Sequence, residues 1–253
     1  NAPSAPPVGT NRPKLILNVT NSEFIGNRSN TENYYGPDAS YNRDAYGSAA
    51  YLYTRNGGDL TANYTSVTFD SNRAEFKNGK RVYGGGITEV VDIKESVFET
   101  NYSNVTFVNN SAGSSEQNGD VIYSVYQGSK TDAHAQRIKF NNVTVVGQVG
   151  SAKAALATDG VNVEIRNSIF SQPGVSPLTQ GAKSFLMHDS ISTLDCAAYP
   201  LSGGAQPNCV DNYNDPPLLG DLADNGGFAK TVMPAPNSPA VNKGNASTPS
   251  TCM

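Results

Sequence analysis

One short motif recurs along the chain, and its copies alternate with a second, smaller unit. The motif reads NVTNSEFIGN at 18–27, NYTSVTFDSN at 63–72 and NYSNVTFVNN at 101–110, with weaker copies at 140–148 and 163–172. The second unit is rich in small residues and reads GSAAYLY at 47–53, GGGITEV at 84–90, NGDVIYSVY at 118–126 and SAKAALATD at 151–159. A unit of this size cannot bury its own apolar face, so the copies are expected to stack and share a core.

The repeated units have the character of short β-strands. Their apolar residues are mainly Val, Ile, Phe and Tyr in runs broken by Asn and Gly, and no stretch of 12 residues shows helical periodicity. In the copy at 104–110, alternation places Val105 and Phe107 on one face and Thr106 and Val108 on the other. The pattern predicts stacked β rungs; the alternative is a β-sandwich with ordinary hairpin turns.

Asn and Gly are predicted to form the corners between strands. Asn104 and Asn109 flank the strand, and Asn tolerates the left-handed backbone conformation that a tight corner needs. Stacked Asn amides could also hydrogen-bond from one rung to the next. The glycines of GGGI at 84–87 suit a neighbouring corner at which a side chain would clash.

These motifs resemble the GGA-I and FxxN repeats of bacterial polymorphic outer-membrane proteins and related surface proteins. The end of the chain adds DPPLLGDLADNGG at 215–227 and PAPNSPAVNKG at 234–244. These stretches are similar to the C-terminal module of secreted right-handed parallel β-helix proteins, which often precedes a cell-surface anchor, although Val241 and Asn242 replace the usual Ile and Asp. The resemblance implies an all-β, right-handed parallel β-helix, or solenoid, with a C-terminal closing segment, located outside a bacterial cell or at its surface.

The chain divides into a single repeat domain and two irregular ends. Residues 1–13 form a Pro-rich lead-in, residues 14–244 form the β-helix with its last ~30 residues as a closing or capping segment, and residues 245–253 form a Ser/Thr/Pro tail. Cys196 and Cys209 bracket a loop rich in Gly and Pro, so we expect a disulfide between them and an oxidising compartment; the alternative is two unpaired thiols. The pairing state of Cys252 is left open.

Composition excludes several classes of function. The net charge is −4 and the 18 Lys and Arg residues are scattered, so we expect no nucleic-acid partner. No apolar run reaches the length of a transmembrane segment. His134 and His188 are isolated and no CxxC pair occurs, so we predict no metal site. No cofactor is expected; structural calcium at Asp221, Asp224 and Asn225 would lack the usual ligand spacing.

The strongest binding candidate is the insert at 28–46, which interrupts the repeat. It carries Tyr34, Tyr35, Tyr41 and Tyr46 among Asn, Asp and Arg residues, a composition typical of adaptable binding loops and suited to stacking on sugars. The alternative is a long loop that packs its tyrosines over a rung.

No catalytic residue is assigned. Arg137-Ile138-Lys139 matches one tripeptide of polygalacturonase-type β-helices, but the companion motifs are missing, which favours a solvated strand edge. An acidic stretch that could bind a cation, more simply interpreted as a charged outer face, contains Glu89, Asp92, Glu95 and Glu99.

The sequence therefore predicts a non-enzymatic extracellular protein: an adhesin, a stalk or a self-assembling structural component that displays loops from a rigid rod. Its expected partners are a host cell, an extracellular matrix, a polysaccharide or copies of itself. The alternative is a polysaccharide-degrading or glycan-binding protein on the same scaffold.

Overall fold

A computed structural model describes residues 13–30, 45–54, 58–75, 82–91, 96–113, 119–126, 136–147, 154–171, 176–178, 184–192, 208–210 and 213–245. Throughout these residues the regular structure is β, with no helix, which confirms the all-β prediction. Consequently no described segment is a helix long and apolar enough to cross a membrane.

The strands, numbered along the chain, form four parallel sheets and one antiparallel pair. The long sheet contains β1 (Lys14–Ile25), β5 (Asp59–Asp70), β9 (Phe98–Val108), β12 (Arg137–Asn141), β13 (Thr144–Val146), β15 (Asn162–Arg166), β16 (Ile169–Ser171), β18 (Ser184–His188), β19 (Ile191–Ser192) and β20 (Asn208–Val210). The facing sheet contains β4 (Ala50–Thr54), β8 (Ile87–Val91), β11 (Gly119–Tyr126), β14 (Ala154–Asp159) and β17 (Ser176–Leu178). Two small parallel sheets contain β2 (Arg28–Asn30), β6 (Arg73–Glu75) and β10 (Ser111–Ala112), and β3 (Ala45–Tyr46) and β7 (Val82–Tyr83). The antiparallel pair is β21 (Leu219–Ala223) and β22 (Thr231–Pro234).

Strands pair with the strand one repeat further along the chain. Asn63 lies between Asn18 and Asn101 in register, 45 and 38 residues away. In the later copies the step falls to 25 residues from Val143 to Ser168. Antiparallel pairing among the described residues is confined to β21 and β22. The described repeats therefore do not form the alternative, a β-sandwich with hairpin turns.

Residues with positive φ form a column where the long strands turn. Asn104 has φ 55° and Asn109 has φ 53°, so the sequence prediction of two corners flanking the strand is confirmed. The first corner is occupied in successive rungs by Asn21, Ser66, Asn104, Asn142, Asn167 and Asp189. Short polar side chains dominate this column because they tolerate the left-handed conformation better than larger ones.

A buried ladder of asparagine amides runs beside the second corner. Asn27 Nδ2 donates to Asn72 Oδ1 over 2.8 Å, and Asn72 Nδ2 donates to Asn110 Oδ1 over 2.9 Å. Asn72 and Asn110 are fully buried, and each also donates to a main-chain carbonyl, Phe24 or Phe69. The predicted rung-to-rung amide bonds are therefore present.

The two large sheets share one hydrophobic core. Tyr102 and Phe107 of β9 lie in the same buried cluster as Ile87 of β8 and Ile122 of β11. Phe107 stacks on Phe69 of the preceding rung with ring centroids 4.8 Å apart. Identical positions in successive rungs thus pack on each other, which explains why the sequence repeats its Phe.

The close packing of rungs accounts for the glycines of GGGI. A Cβ on Gly85 would lie 2.2 Å from the carbonyl oxygen of Asp120 and 2.5 Å from that of Ser111. Both are main-chain atoms that cannot rotate away, so the corner requires a glycine.

The C-terminal segment 213–245 covers part of the long sheet from outside. Thr68 donates from Oγ1 to the Lys230 carbonyl over 2.5 Å, and Lys230 N donates to Glu23 Oε1 over 2.8 Å. Thr106, the register neighbour of Thr68, is buried like Phe107 on the opposite face. Alternation in this strand therefore predicts which side chains point into the core and which point outward. It does not predict exposure, because outward-pointing Thr68 and Thr106 are also buried.

The same segment spans several rungs. Tyr213 pairs with Ile191 beside β19, Lys230 reaches the first two rungs, and Asn245 N donates to Asn167 Oδ1 over 2.7 Å after β15. These contacts place the segment along the side of the stack. The domain bounds of 14 and 244 remain a prediction.

Candidate functional site

Five tyrosines form a continuous surface, here called the tyrosine strip. Its members, in order of contact, are Tyr53, Tyr51, Tyr46, Tyr83 and Tyr123. Their successive ring centroids lie 6.0, 5.1, 5.3 and 4.5 Å apart. Tyr46, Tyr51 and Tyr53 expose 37, 48 and 43% of their surface, so one side of the strip faces solvent.

The strip is assembled by alternation and register. In β4, Tyr51 and Tyr53 point outward while Leu52 between them packs against the core. Tyr46 of β3 pairs directly with Tyr83 of β7. Thr88 of β8 is fully buried and separates Tyr51 from Tyr123 in register. Three different repeats therefore contribute rings to one surface.

Of the tyrosines predicted in the insert, Tyr46 lies in the described structure and belongs to the strip. Tyr34, Tyr35 and Tyr41 lie outside the described residues, so their role stays a prediction. Sequence reasoning missed Tyr51, Tyr53, Tyr83 and Tyr123. The signal was the YLY of the second unit, which was interpreted only as a core strand.

A second outer feature is an open groove on the long sheet, with a volume of about 340 Å³. Its polar lining consists of Arg137 and Lys139 of β12 and Asn162 and Glu164 of β15. Its apolar lining comes from Ile138, Val163 and Leu186. Ile138 and Val163 are buried in the core, so the groove combines positive charge with one apolar side chain that is not fully buried, that of Leu186.

Several charged side chains in and near this groove form ion pairs with each other. Lys139 Nζ lies 3.0 Å from Glu99 Oε1, and Arg166 Nε lies 2.5 Å from Glu164 Oε1. Partial burial opposes ionisation of Glu99, but hydrogen bonds from Lys139 and Asn101 and nearby positive charge outweigh it. The pKa of this carboxyl is therefore lowered, which makes Glu99 a poor proton donor at neutral pH.

The structure separates the residues of the predicted acidic stretch. Glu99 lies on the outer face, whereas Glu89 is fully buried between the sheets; a charged outer face is therefore the wrong interpretation for Glu89. Asp92 and Glu95 lie outside the described residues. The tripeptide at 137–139 begins β12, with Ile138 buried and Arg137 exposed, as expected of a solvated strand.

Glu89 is the centre of a buried polar cluster. Its Oε1 accepts from the Tyr102 hydroxyl over 2.9 Å, and its Oε2 accepts from Ser124 Oγ over 2.8 Å and Gln136 Nε2 over 3.1 Å. All four residues are nearly inaccessible to solvent. Burial raises the pKa of Glu89, and these hydrogen bonds offset only part of that effect.

Asp120 is a second buried carboxyl. Its Oδ1 accepts from Ala112 N over 2.9 Å, while its Oδ2 has no described hydrogen-bond partner. Burial raises its pKa to about 7, because the opposing effect of the main-chain hydrogen bond from Ala112 is smaller. This carboxyl therefore titrates near physiological pH without contact with solvent.

No cluster of three or more His, Cys, Asp and Glu side chains with metal-binding geometry occurs in the part of the chain described. Asp224 Oδ1 accepts from Gly226 N over 3.0 Å, and Asn225 Nδ2 donates to Thr231 O over 3.0 Å. These contacts shape the turn between β21 and β22.

Cys209 lies in β20 and is disulfide-bonded. Cys196 lies outside the described residues, so the pairing of Cys196 with Cys209 remains a prediction. Comparison of the chain with models of known protein families, with curated proteins and with solved structures gives no match.

Proposed function

We propose that the chain is a right-handed parallel β-helix that acts outside a bacterial cell as a non-enzymatic adhesin. In this proposal the tyrosine strip binds the sugar rings of a polysaccharide or of a glycan on a host cell or matrix. The parallel pairing of equivalent strands and the core shared between facing sheets support the β-helix. The disulfide at Cys209 supports an oxidising location.

The observation that carries the binding role is the exposure of stacked tyrosines. Aromatic rings normally bury their faces, yet Tyr51 and Tyr53 leave nearly half of their surface in water while stacked on each other at 6.0 Å. Tyr offers an apolar face for the C–H side of a sugar and a hydroxyl for its polar edge. The ring spacing is comparable to the length of one pyranose unit, so neighbouring rings can contact consecutive sugars.

The carboxyl groups argue against glycoside hydrolysis as the primary activity. A general acid needs a raised pKa in a place that substrate can reach. The described carboxyls with raised pKa, Glu89 and Asp120, are both buried. Glu99 and Glu164 on the outer face are held in ion pairs.

The proposal is tested by binding assays on immobilised neutral and acidic polysaccharides. The variant Tyr51→Ala/Tyr53→Ala should weaken binding by about fivefold for each ring removed, because a stacked aromatic contributes roughly 1 kcal/mol beyond its area. The matched control is Phe228→Ala, which removes a 74% exposed aromatic outside the strip. Equal affinity of the double variant and wild type would refute the binding role, as would tyrosine-dependent self-association without glycan binding.

The groove beside Arg137 favours a second candidate, cleavage of an acidic polysaccharide. Arg137 and Lys139 could bind a uronate carboxylate, and Leu186 adds an apolar contact beside them. Incubation with uronate polymers and measurement of new chain ends tests this candidate. If the wild-type protein cleaves the polymer and Arg137→Ala does not, polysaccharide cleavage is favoured over a purely adhesive role.

A further inference from the structure

The buried cluster around Glu89 contains the parts of an acyl-transfer reaction within the protein itself. Ser124 Oγ lies 2.8 Å from Glu89 Oε2 and 2.5 Å from Gln136 Nε2. The other carboxyl oxygen of Glu89 is held by the Tyr102 hydroxyl at 2.9 Å. A nucleophile in hydrogen-bond reach of a base that a third group orients is the arrangement of covalent catalysis.

We propose that Ser124 and Gln136 form an internal ester cross-link, with Glu89 transferring the proton. The Ser124 oxygen attacks Gln136 Cδ, and the Cδ–Oγ bond forms as the Cδ–Nε2 bond breaks. The hydroxyl proton passes to Glu89 Oε2 and then to the departing nitrogen, which leaves as ammonia. The exchange of amide for ester needs no oxidant, metal or other reactant.

One carboxyl oxygen serves both ends of this proton transfer. Glu89 Oε2 contacts the Ser124 hydroxyl at 2.8 Å and the Gln136 amide nitrogen at 3.1 Å. Because Nε2 is bonded to the carbon under attack, the Ser124 hydroxyl oxygen is at most one C–N bond length farther from that carbon than from Nε2. Holding reactants in this way replaces a bimolecular encounter with an intramolecular step.

Burial makes the product persistent. Ser124, Gln136 and Glu89 are fully buried, so water that would hydrolyse an ester is kept away.

The reaction is expected to be slow and to occur once per molecule. Gln136 Oε1 has no described hydrogen-bond donor, so the negative charge that develops on this oxygen is not stabilised by an oxyanion hole. Stabilisation of that kind is worth roughly a hundredfold or more in rate. Formation should therefore be followed over days after purification.

The cross-link would join two strands of different sheets. Ser124 lies in β11 of the facing sheet, and Gln136 immediately precedes β12 of the long sheet. A covalent bond across the core would resist separation of the sheets under force. This property suits a surface rod but does not depend on what the tyrosine strip binds.

Peptide mass spectrometry of the purified full chain tests the proposal. Trypsin should release residues 95–130, which contain Ser124, and residues 131–137, which contain Gln136, as separate peptides from an unmodified chain. The cross-linked protein should instead give one joined species lighter by one ammonia, which hydroxylamine splits. Glu89→Gln and Ser124→Ala should each give only the two separate peptides.

Tyr102→Phe serves as the graded variant, because it removes the donor that orients Glu89 while leaving nucleophile and base in place. It should slow appearance of the joined peptide without abolishing it. Two unmodified peptides from wild type after prolonged incubation would overturn the proposal. Conversion of Gln136 to Glu without a joined peptide would also overturn the proposal. A joined peptide in the Glu89→Gln variant would show that Glu89 does not transfer the proton.

Discussion

The buried asparagine ladder should be a major source of stability, and replacing its central member tests this directly. Asn72 has four side-chain hydrogen bonds. Its Nδ2 donates to Phe24 O and Asn110 Oδ1, each at 2.9 Å, and its Oδ1 accepts from Asn27 N at 3.1 Å and Asn27 Nδ2 at 2.8 Å. Asn72 is fully buried and its partner Asn110 is too, so Asn72→Ala leaves hydrogen-bonding groups in a site with little access to bulk water.

The expected loss follows from these contacts. At a net value of about 1 kcal/mol for each buried hydrogen bond, Asn72→Ala should lower the free energy of unfolding by about 4 kcal/mol. Urea denaturation followed by circular dichroism measures this as a fall in the midpoint with an unchanged m-value.

The matched control is Asn63→Ala in the outer ladder. Asn63 donates to Asn18 at 2.8 Å and accepts from Asn101 at 2.9 Å, but this ladder lies on the water-accessible face of the long sheet. Water can replace both bonds, so the loss should stay below about 1 kcal/mol. Similar losses for the two variants would show that burial of the ladder does not decide its contribution.

Three further predictions concern single positions. Burial places the pKa of Asp120 at about 7, above its unfolded value of 3.8. The folded state therefore retains this proton, and stability should fall as pH rises from about 4 to about 7. Asp120→Asn should remove roughly 4 kcal/mol of that fall, measured by urea denaturation across this pH range; an unchanged pH profile would contradict the assignment. Gly85→Ala should destabilise by about 3 kcal/mol or more, because its Cβ would overlap backbone atoms, whereas Gly227→Ala, whose Cβ would meet its nearest neighbour at 3.6 Å, should have little effect in thermal unfolding. Asn104→Gly should be tolerated at φ 55° while Asn104→Val should cost about 1–3 kcal/mol, and equal stability of the two variants would refute the corner role.

The sequence was sufficient to predict the local role of the repeated motif. Asn104 and Asn109 turn the chain, Phe107 fills the core, and asparagine amides bond between rungs. Each of these roles depends on a residue type and its neighbours in the same repeat. Recurrence of the motif brings equivalent positions together even though the step falls from 45 to 25 residues, so local pattern and tertiary packing agree.

The candidate sites depend on contacts that the spacing does not reveal. Tyr46, Tyr83 and Tyr123 come from different repeats separated by inserts of unequal length, so their stacking requires the actual register. Glu89 looks like part of an acidic surface stretch, but alternation in β8 turns it inward to meet Tyr102 of the opposite sheet. Strand alternation predicts that neighbouring residues lie on opposite faces of the sheet. It does not predict which of the two faces packs against the core.

The C-terminal segment shows a similar limit. Its motif resembles a closing module, yet nothing in residues 215–244 identifies the surface that it contacts. The bond from Thr68 to the Lys230 carbonyl links positions 162 residues apart. Contacts of this range follow from the finished fold and not from any repeat.

The parallel stacking of equivalent strands underlies the tyrosine strip, the asparagine ladders and the buried cluster. Nuclear Overhauser contacts between backbone protons of the labelled protein test it most directly. Cross-peaks should link Ala62 with Thr100, and Thr100 with Ile138, each 38 residues apart, in the order of a parallel register. Cross-peaks that instead pair these strands with their nearest neighbours in sequence, in antiparallel order, would contradict the account.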